Sequence, residues 1–152
     1  MNQLLLTKLK SQHREIYDLL ATISPDLVEK RPQPNKWSIF ENLAHLGRYQ
    51  EVFLQRLLLI LSQENPELGR YKAEDDPGFH AWHNLEQAQV IQKLEQNRLD
   101  LVVFFENLAA KDWERTGNHP VLGALSVRDW LHFFLLHESH HLYTIFKIKH
   151  TT

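Results

Sequence analysis

The chain of 152 residues contains no cysteine, which excludes disulfides, thiolate metal ligands and a thiol nucleophile supplied by the protein itself. Long apolar runs are missing too. The stretch 57–61, between Arg56 and Ser62, holds five apolar residues, far short of the roughly 20 needed to cross a bilayer. No secretory pattern is visible over Met1–Ser11, so a cytoplasmic location is expected. Neither sign of charge dominates: 17 Lys+Arg stand against 19 Asp+Glu, a net charge of −2. Without a clustered basic face there is no electrostatic case for nucleic-acid binding. Glycine and proline are scarce, at 5 and 6, and apart from Gly47 they collect in 25–34, 66–78 and 117–123. With 43% hydrophobic and 24% charged residues, the remainder suits one globular domain over 1–152. One residue type is abundant. There are ten histidines, five of them between His132 and His150.

The three breaker clusters divide the chain into four long segments with helical periodicity. In the first, Leu5, Leu9, Ile16, Leu19, Leu20 and Ile23 recur at three- and four-residue steps. The second opens at Ser38 with Glu41 three residues later, a capping box. Its stripe runs through Ile39, Leu43, Leu46, Phe53, Leu57, Ile60 and Leu61. The third spans about Asn84 to Ala110, with Ile91, Leu94, Leu101, Phe105 and Leu108 on one face. The fourth starts at Ser126, with Asp129 as a second capping partner, and continues through Val127, Trp130, Leu131, Phe134, Ile145 and Ile148. No strand-like alternation is sustained anywhere. Four such segments predict an all-α four-helix bundle with long connecting loops. The connection from about Gln63 to His83 carries Tyr71, Phe79, His80, Trp82 and His83, too aromatic for a disordered linker, and is expected to pack over one end of the bundle.

On the fourth segment the apolar stripe continues through 137/138, 141, 145 and 148, and positions 137 and 141 are both histidine. Residues four apart stack on one helix face, the spacing that supplies two imidazoles to a metal. His140 also neighbours His137 by the three-residue step; spacing leaves the two pairings open, and the stripe favours His141. A solvated His-rich helix is the ordinary alternative. Burying two imidazoles without partners costs about 1–3 kcal/mol each, a penalty that a metal removes. On the second segment His45 flanks the Leu43/Leu46/Phe53 stripe, one turn after Glu41, and can face the bundle interior.

These residues carry a resemblance. Trp37-Ser-Ile-Phe-Glu41-Asn-Leu-Ala-His45-Leu resembles the W-S-x-x-E-x-x-x-H signature of the DinB-like (YfiT-like) superfamily, and His137-Glu-Ser-His-His141-Leu-Tyr-Thr-Ile145 resembles its H-x-x-H-H-L-x-x-I signature. Between them, His119-Pro-Val-Leu-Gly123 followed by Ser126-Val-Arg-Asp-Trp130 resembles the family's entry to its last helix. Family members often carry Gln where this chain has Thr144. The resemblance implies a four-helix bundle holding a divalent metal, zinc or nickel, on His45, His137 and His141. It also implies a small-molecule substrate. Some relatives are metal-dependent transferases that join low-molecular-weight thiols to electrophiles, and others carry a hydrolase label. A homodimer through outer helix faces is a further expectation for such bundles.

A cation held by three neutral imidazoles keeps its full charge and an open position, and it acidifies a bound water or thiol. With no cysteine in the chain, a thiol would come from a cosubstrate. Glu41 is a candidate base near the metal, although its capping role is the simpler account. Arg98 interrupts the third stripe, where it either binds an anionic part of a substrate or snorkels to the bundle end. Glu138 falls about 100° around the helix from His137 and is expected at the surface or behind the ligands. His13, on the first stripe, is a candidate for the cavity wall or a satisfied core histidine. Trp37, Trp82 and His119 are candidates for the substrate mouth. Thiol-dependent transfer leads the functional readings, ahead of a metal-dependent hydrolase and of a stress-associated bundle whose metal is structural or absent.

Overall fold

Four helical rods form the body of the molecule in the computed structural model, which describes residues 3–151. The first rod is broken. Helix α1 (Gln3–Ser11) passes through a tight 3₁₀ turn at Gln12–Arg14 into α2 (Glu15–Leu20), where one continuous helix was expected. The break falls where Gln12 donates to Leu135 O and to Glu138, and where His13 turns inward to Glu95 and Arg98. Long-range polar contacts outcompete the regular ladder there. After the short α3 (Pro25–Glu29), the second rod is α4 (Ile39–Ser62). It starts as anticipated: Glu41 N donates to Ser38 Oγ (3.1 Å) and Ser38 N donates to Glu41 Oε2 (2.8 Å).

The connection after α4 is not structureless. Glu67 pairs with Asn118, and a one-turn helix α5 (Pro77–Trp82) follows, capped by Asp76 through Gly78 N (2.9 Å). Phe79 and Trp82 anchor it in the core. Trp82 fits because α4 has a glycine opposite: a Cβ on Gly47 would stand 2.1 Å from the indole. The segment therefore packs along α4. The third rod, α6 (Gln87–Glu106), is shorter than expected at both ends, and it buries Val90 where the pattern pointed to Ile91.

Before the last rod the chain makes a two-stranded antiparallel hairpin, β1 (Thr116–His119) with β2 (Gly123–Ser126), turning at Gly123 with φ +76°. No alternation announces it. Its strands are four residues long and rest on non-local bonds, Asn118 N to Pro66 O (2.8 Å) and Trp130 Nε1 to Gly117 O (3.2 Å). The last rod, α7 (Val127–Thr151), opens with the Ser126/Asp129 reciprocal pair. Among the described residues no helix is long and apolar enough to cross a membrane.

The apolar interior is split in two. One cluster gathers Leu5, Leu9, Phe53, Leu101, Trp130 and Phe134; the other gathers Ile16, Leu43, Trp82, Leu94, Leu142 and Ile145. Each rod contributes a polar residue to the level between them: His13, Gln50, Arg98 and Glu138, all buried. The histidines of interest lie beside this layer.

Candidate metal centre

Two rods supply the histidines. From α4, His45 projects from the buried face that also carries Asn42, Leu46 and Tyr49. From α7, His137 and His141 project one turn apart. They are not at the centre of the α7 stripe, as expected, but on its flank. The buried positions run 131, 134, 135, 138, 142 and 145, so Glu138 takes the interior place and the two histidines face sideways toward α4. One ring nitrogen from each of His45, His137 and His141 lies within 4.8 Å of the others, and no other His, Asp or Glu group gathers this way among the described residues. Nε2 of His45 and Nε2 of His137 are 3.0 Å apart. Nitrogens sharing one tetrahedral cation at about 2.0–2.1 Å stand roughly 3.3 Å from each other, so the observed spacing is close to that of a common ligand shell.

Hydrogen bonding assigns the tautomer of one ring. Asn42 Nδ2 donates to Ser38 O (2.8 Å), which turns Asn42 Oδ1 toward His141 Nδ1 (2.8 Å). That nitrogen therefore carries the proton, and Nε2 of His141 keeps its lone pair for the cluster. Nδ1 of His45 and Nδ1 of His137 are buried without a partner. Burial holds all three rings neutral. It lowers His45 to about 3, with the charge of His137 adding. His137 falls to about 4 through burial and then the charges of His140 and Arg56. His141 falls to about 2 through burial and then its three histidine neighbours. Neutral imidazole is the ligating form. One proton between Nε2 of His45 and Nε2 of His137 makes a single N–H···N bond, and a cation would instead take a lone pair from each ring. The donor set thus fits a divalent metal.

Aromatic rings wall the cluster. Trp37 lies 5.0 Å from His45 and stacks on His141 at 6.0 Å, Tyr49 is 4.4 Å from His137, and Tyr71 stacks on His45 at 5.9 Å. A cavity of about 630 Å³ opens over all three histidines and is bordered by His119 and Phe133. A second, of about 540 Å³, reaches only His141 of the three, from the Asn42 side. The lone pairs are therefore approached from the first cavity.

Trp37 and His119 border that cavity, His119 with Nδ1 accepting from Val121 N and Leu122 N (both 3.1 Å). Other candidates lie elsewhere. Trp82 is buried against Gly47, away from any mouth. Glu41 faces away from the cluster, its carboxylate occupied by Ser38 N and by an ion pair with Arg31. His140 is exposed and outside the triad. Arg98 neither snorkels nor faces a ligand. It is 1% exposed and bonded to Glu138, Gln50 Oε1 (2.7 Å), Leu9 O (2.9 Å) and the His13 ring (3.2 Å). Glu138 is 2% exposed, not a surface residue. His13 is a satisfied core histidine, bonded to Glu95 (3.0 Å). It is lowered by burial and then by the Arg98 charge, against the Glu95 contact that raises it.

Sequence reasoning missed Asn42 and Tyr71. Asn42 had a visible signal, a polar amide three residues before His45 on a face of Ile39, Leu43 and Leu46. Tyr71 had none, because the path of its segment decides its place.

Residues 8–145 match the family model of the DinB superfamily. The chain is 29% identical over 147 residues to "Uncharacterized protein YuaE" of Bacillus subtilis (strain 168), covering 89% of this chain and 91% of the relative. Its fold is similar to that of YfiT from Bacillus subtilis, described as a probable metal-dependent hydrolase with an unusual four-helix bundle topology (TM-score 0.77, 15% identity, 96% of this chain and 84% of that one). It is also similar to TT2238, a four-helix bundle protein (0.67, 18%, 93% and 94%), and to the DinB-like protein YjoA of Bacillus subtilis (0.62, 16%, 97% and 91%).

Proposed function

The chain belongs to the DinB superfamily, and from that premise we propose that it is a metal-dependent hydrolase whose one divalent cation is held by His45, His137 and His141. The observation that carries this reading is the convergence of three neutral ring nitrogens beneath a cavity, with no fourth His, Asp or Glu ligand beside them among the described residues. Three histidines and one free side are the makeup of a catalytic site, whereas a closed structural site takes four protein ligands. A cation bound there would act as a Lewis acid, polarising an electrophile and acidifying a water or thiol. Zinc and nickel both suit an all-imidazole set.

The protein's own residues do the rest. Asn42 fixes the proton of His141 on the side away from the cluster. Trp37, Tyr71 and Phe79 hold the His45 ring between them and limit water to the cavity side. YfiT's description supports hydrolysis for this chain as well. Thiol transfer, placed first on the family resemblance, has no supporting observation in the site or in the descriptions of the similar proteins named above.

The test begins with elemental analysis of protein expressed without an affinity tag. About one metal per chain is expected, and His45→Ala and His137→Ala should lose it. Metal-loaded protein is then assayed on ester and amide panels with and without small thiols. Metal-dependent turnover without thiol supports the proposal. Turnover only with thiol replaces it with transfer, and a chain that takes up no metal leaves only a helical scaffold.

A further inference from the structure

Six of the 17 lysine and arginine side chains pair with an acid among the described residues, Lys10 with Glu106 and Lys93 with Glu51 among them. Arg31 pairs with Glu41, Arg48 with Glu51 and Asp76, Arg98 with Glu138, and Arg128 with Glu114, while Arg115 donates to the carbonyls of Ile60 (2.9 Å) and Gln63 (2.7 Å). Arg56, Arg70 and Lys72 have no ion pair among the described residues, and all three border the cavity over the histidines. Glu74 is the one carboxylate in that lining. In a chain of net charge −2, three cations against one acid around a single cavity is a local reversal of sign.

Arg56 is the best placed of the three. Its guanidinium donates to Gly69 O (2.6 Å) and to Tyr49 Oη (3.5 Å), and it lies 5.7 Å from the centre of the Trp130 ring. These contacts hold the planar fork in place and leave donors for a ligand, the arrangement in which arginine recognises a carboxylate or phosphate. His45 and Arg56 are eleven residues apart on α4, about 16 Å along its axis. Helix side chains lean toward the N-terminus, so Arg56 reaches back toward the histidines. Between and around these polar ends the cavity is bordered by Trp37, Phe133, Leu122 and the 81%-exposed Val121.

We infer that this cavity takes a small amphipathic anion, with a carboxylate or phosphate held by Arg56, Arg70 and Lys72, an apolar body against Trp37, Phe133 and Val121, and the reacting bond over the three histidines. The inference rests on the metal-dependent reading above. It assigns to Arg56 the anion-binding role that the sequence pattern suggested for Arg98, which is closed off by Glu138.

The test uses full-length protein loaded with zinc and two probes, suberic acid monohydroxamate and its methyl ester. Both carry a metal-binding hydroxamate; only the first has the terminal carboxylate. By calorimetric titration the acid should bind at least roughly tenfold tighter than the ester, the size of one charge-assisted contact. The preference should shrink as salt is raised. Arg56→Gln and Arg70→Gln should each remove most of it while ester binding stays unchanged. Arg70, an exposed residue, is a variant that folding does not depend on. Equal binding of acid and ester overturns the anion site and leaves the metal reading standing. A preference that survives both arginine variants overturns the assignment to these residues. Failure of both probes to bind overturns the site and the metal reading together.

Discussion

Two sets of polar side chains share one level of the bundle, and their hydrogen bonding is complete to different degrees. Between the apolar clusters, Arg98 meets Glu138, Gln50, His13 and a backbone carbonyl, and Gln50 returns a bond to Leu94 O (2.9 Å). Every rod is tied to its neighbours through hydrogen bonds that gather on the buried Arg98–Glu138 pair. Beside it, His45, His137 and His141 converge under an open cavity, where His45 and His137 share one N–H···N contact and their two Nδ1 atoms have no partner. The first set is closed and holds the fold. The second is incomplete until something enters. Both consist of polar residues on apolar stripes, so polarity on a buried face does not by itself mark a site; unsatisfied valence next to a cavity does.

The largest effect expected from breaking this contrast is on the closed set. Arg98→Met leaves Glu138 buried without a counter-charge and should cost about 3–5 kcal/mol in urea denaturation of metal-free protein. The double variant Arg98→Met/Glu138→Leu should recover most of that loss. The open set should behave oppositely. His137→Ala loses one bond to His45 and removes a partnerless Nδ1, and should change metal-free stability by only about 1 kcal/mol. It should also abolish the stabilisation that metal confers on the wild type, about 4 kcal/mol at a thousandfold excess over Kd, read as the loss of the metal-induced rise in Tm. Asn42→Ala removes the acceptor that orients His141, along with a bond to Ser38 O, and should weaken metal binding about 10–100-fold in competition with a chelator.

A smaller effect tests the wall that the 63–83 segment builds. Burial raises the Asp76 carboxyl, but hydrogen bonds from Arg48, Tyr71 and Gly78 N outweigh it and hold the group at about 2. Its folded pKa lies below the unfolded value of about 3.9, so its stabilisation is present above that value and is lost as pH falls toward 2. The stability difference between wild type and Asp76→Asn should be constant above about pH 5 and close on acidification, followed by chemical denaturation at each pH. The smallest effect belongs to Glu41→Gln, a cap change of about 0.5–1 kcal/mol in thermal unfolding with metal affinity unaltered. A large loss of metal affinity there would return Glu41 to the site.

Much of this was legible beforehand for identifiable reasons. Ser38/Glu41 and Ser126/Asp129 are local devices, readable because each partner lies within one turn of the other. The pair His137/His141 was legible as a spacing, and His45 as part of a resemblance. Arg98 was visible as an anomaly on an apolar face, but its partner was not, because Glu138 lies on another rod and its own stripe admitted two phases. The hairpin was hidden because its strands depend on Pro66 and Trp130. Trp37 and Trp82 looked alike as loop-end aromatics, and only the notch at Gly47 separated one into the core and left the other over the histidines.

The amino-acid sequence on its own determined where α4 and α7 begin, where most of the apolar faces lie and that three imidazoles were available without any thiol. Those properties are set within a few turns by capping and by the 3.6-residue period. Tertiary packing alone decided which polar groups became paired and which stayed open, and which cations met an acid and which faced the cavity. Those outcomes depend on the rotation of one rod against another, and no local pattern encodes it.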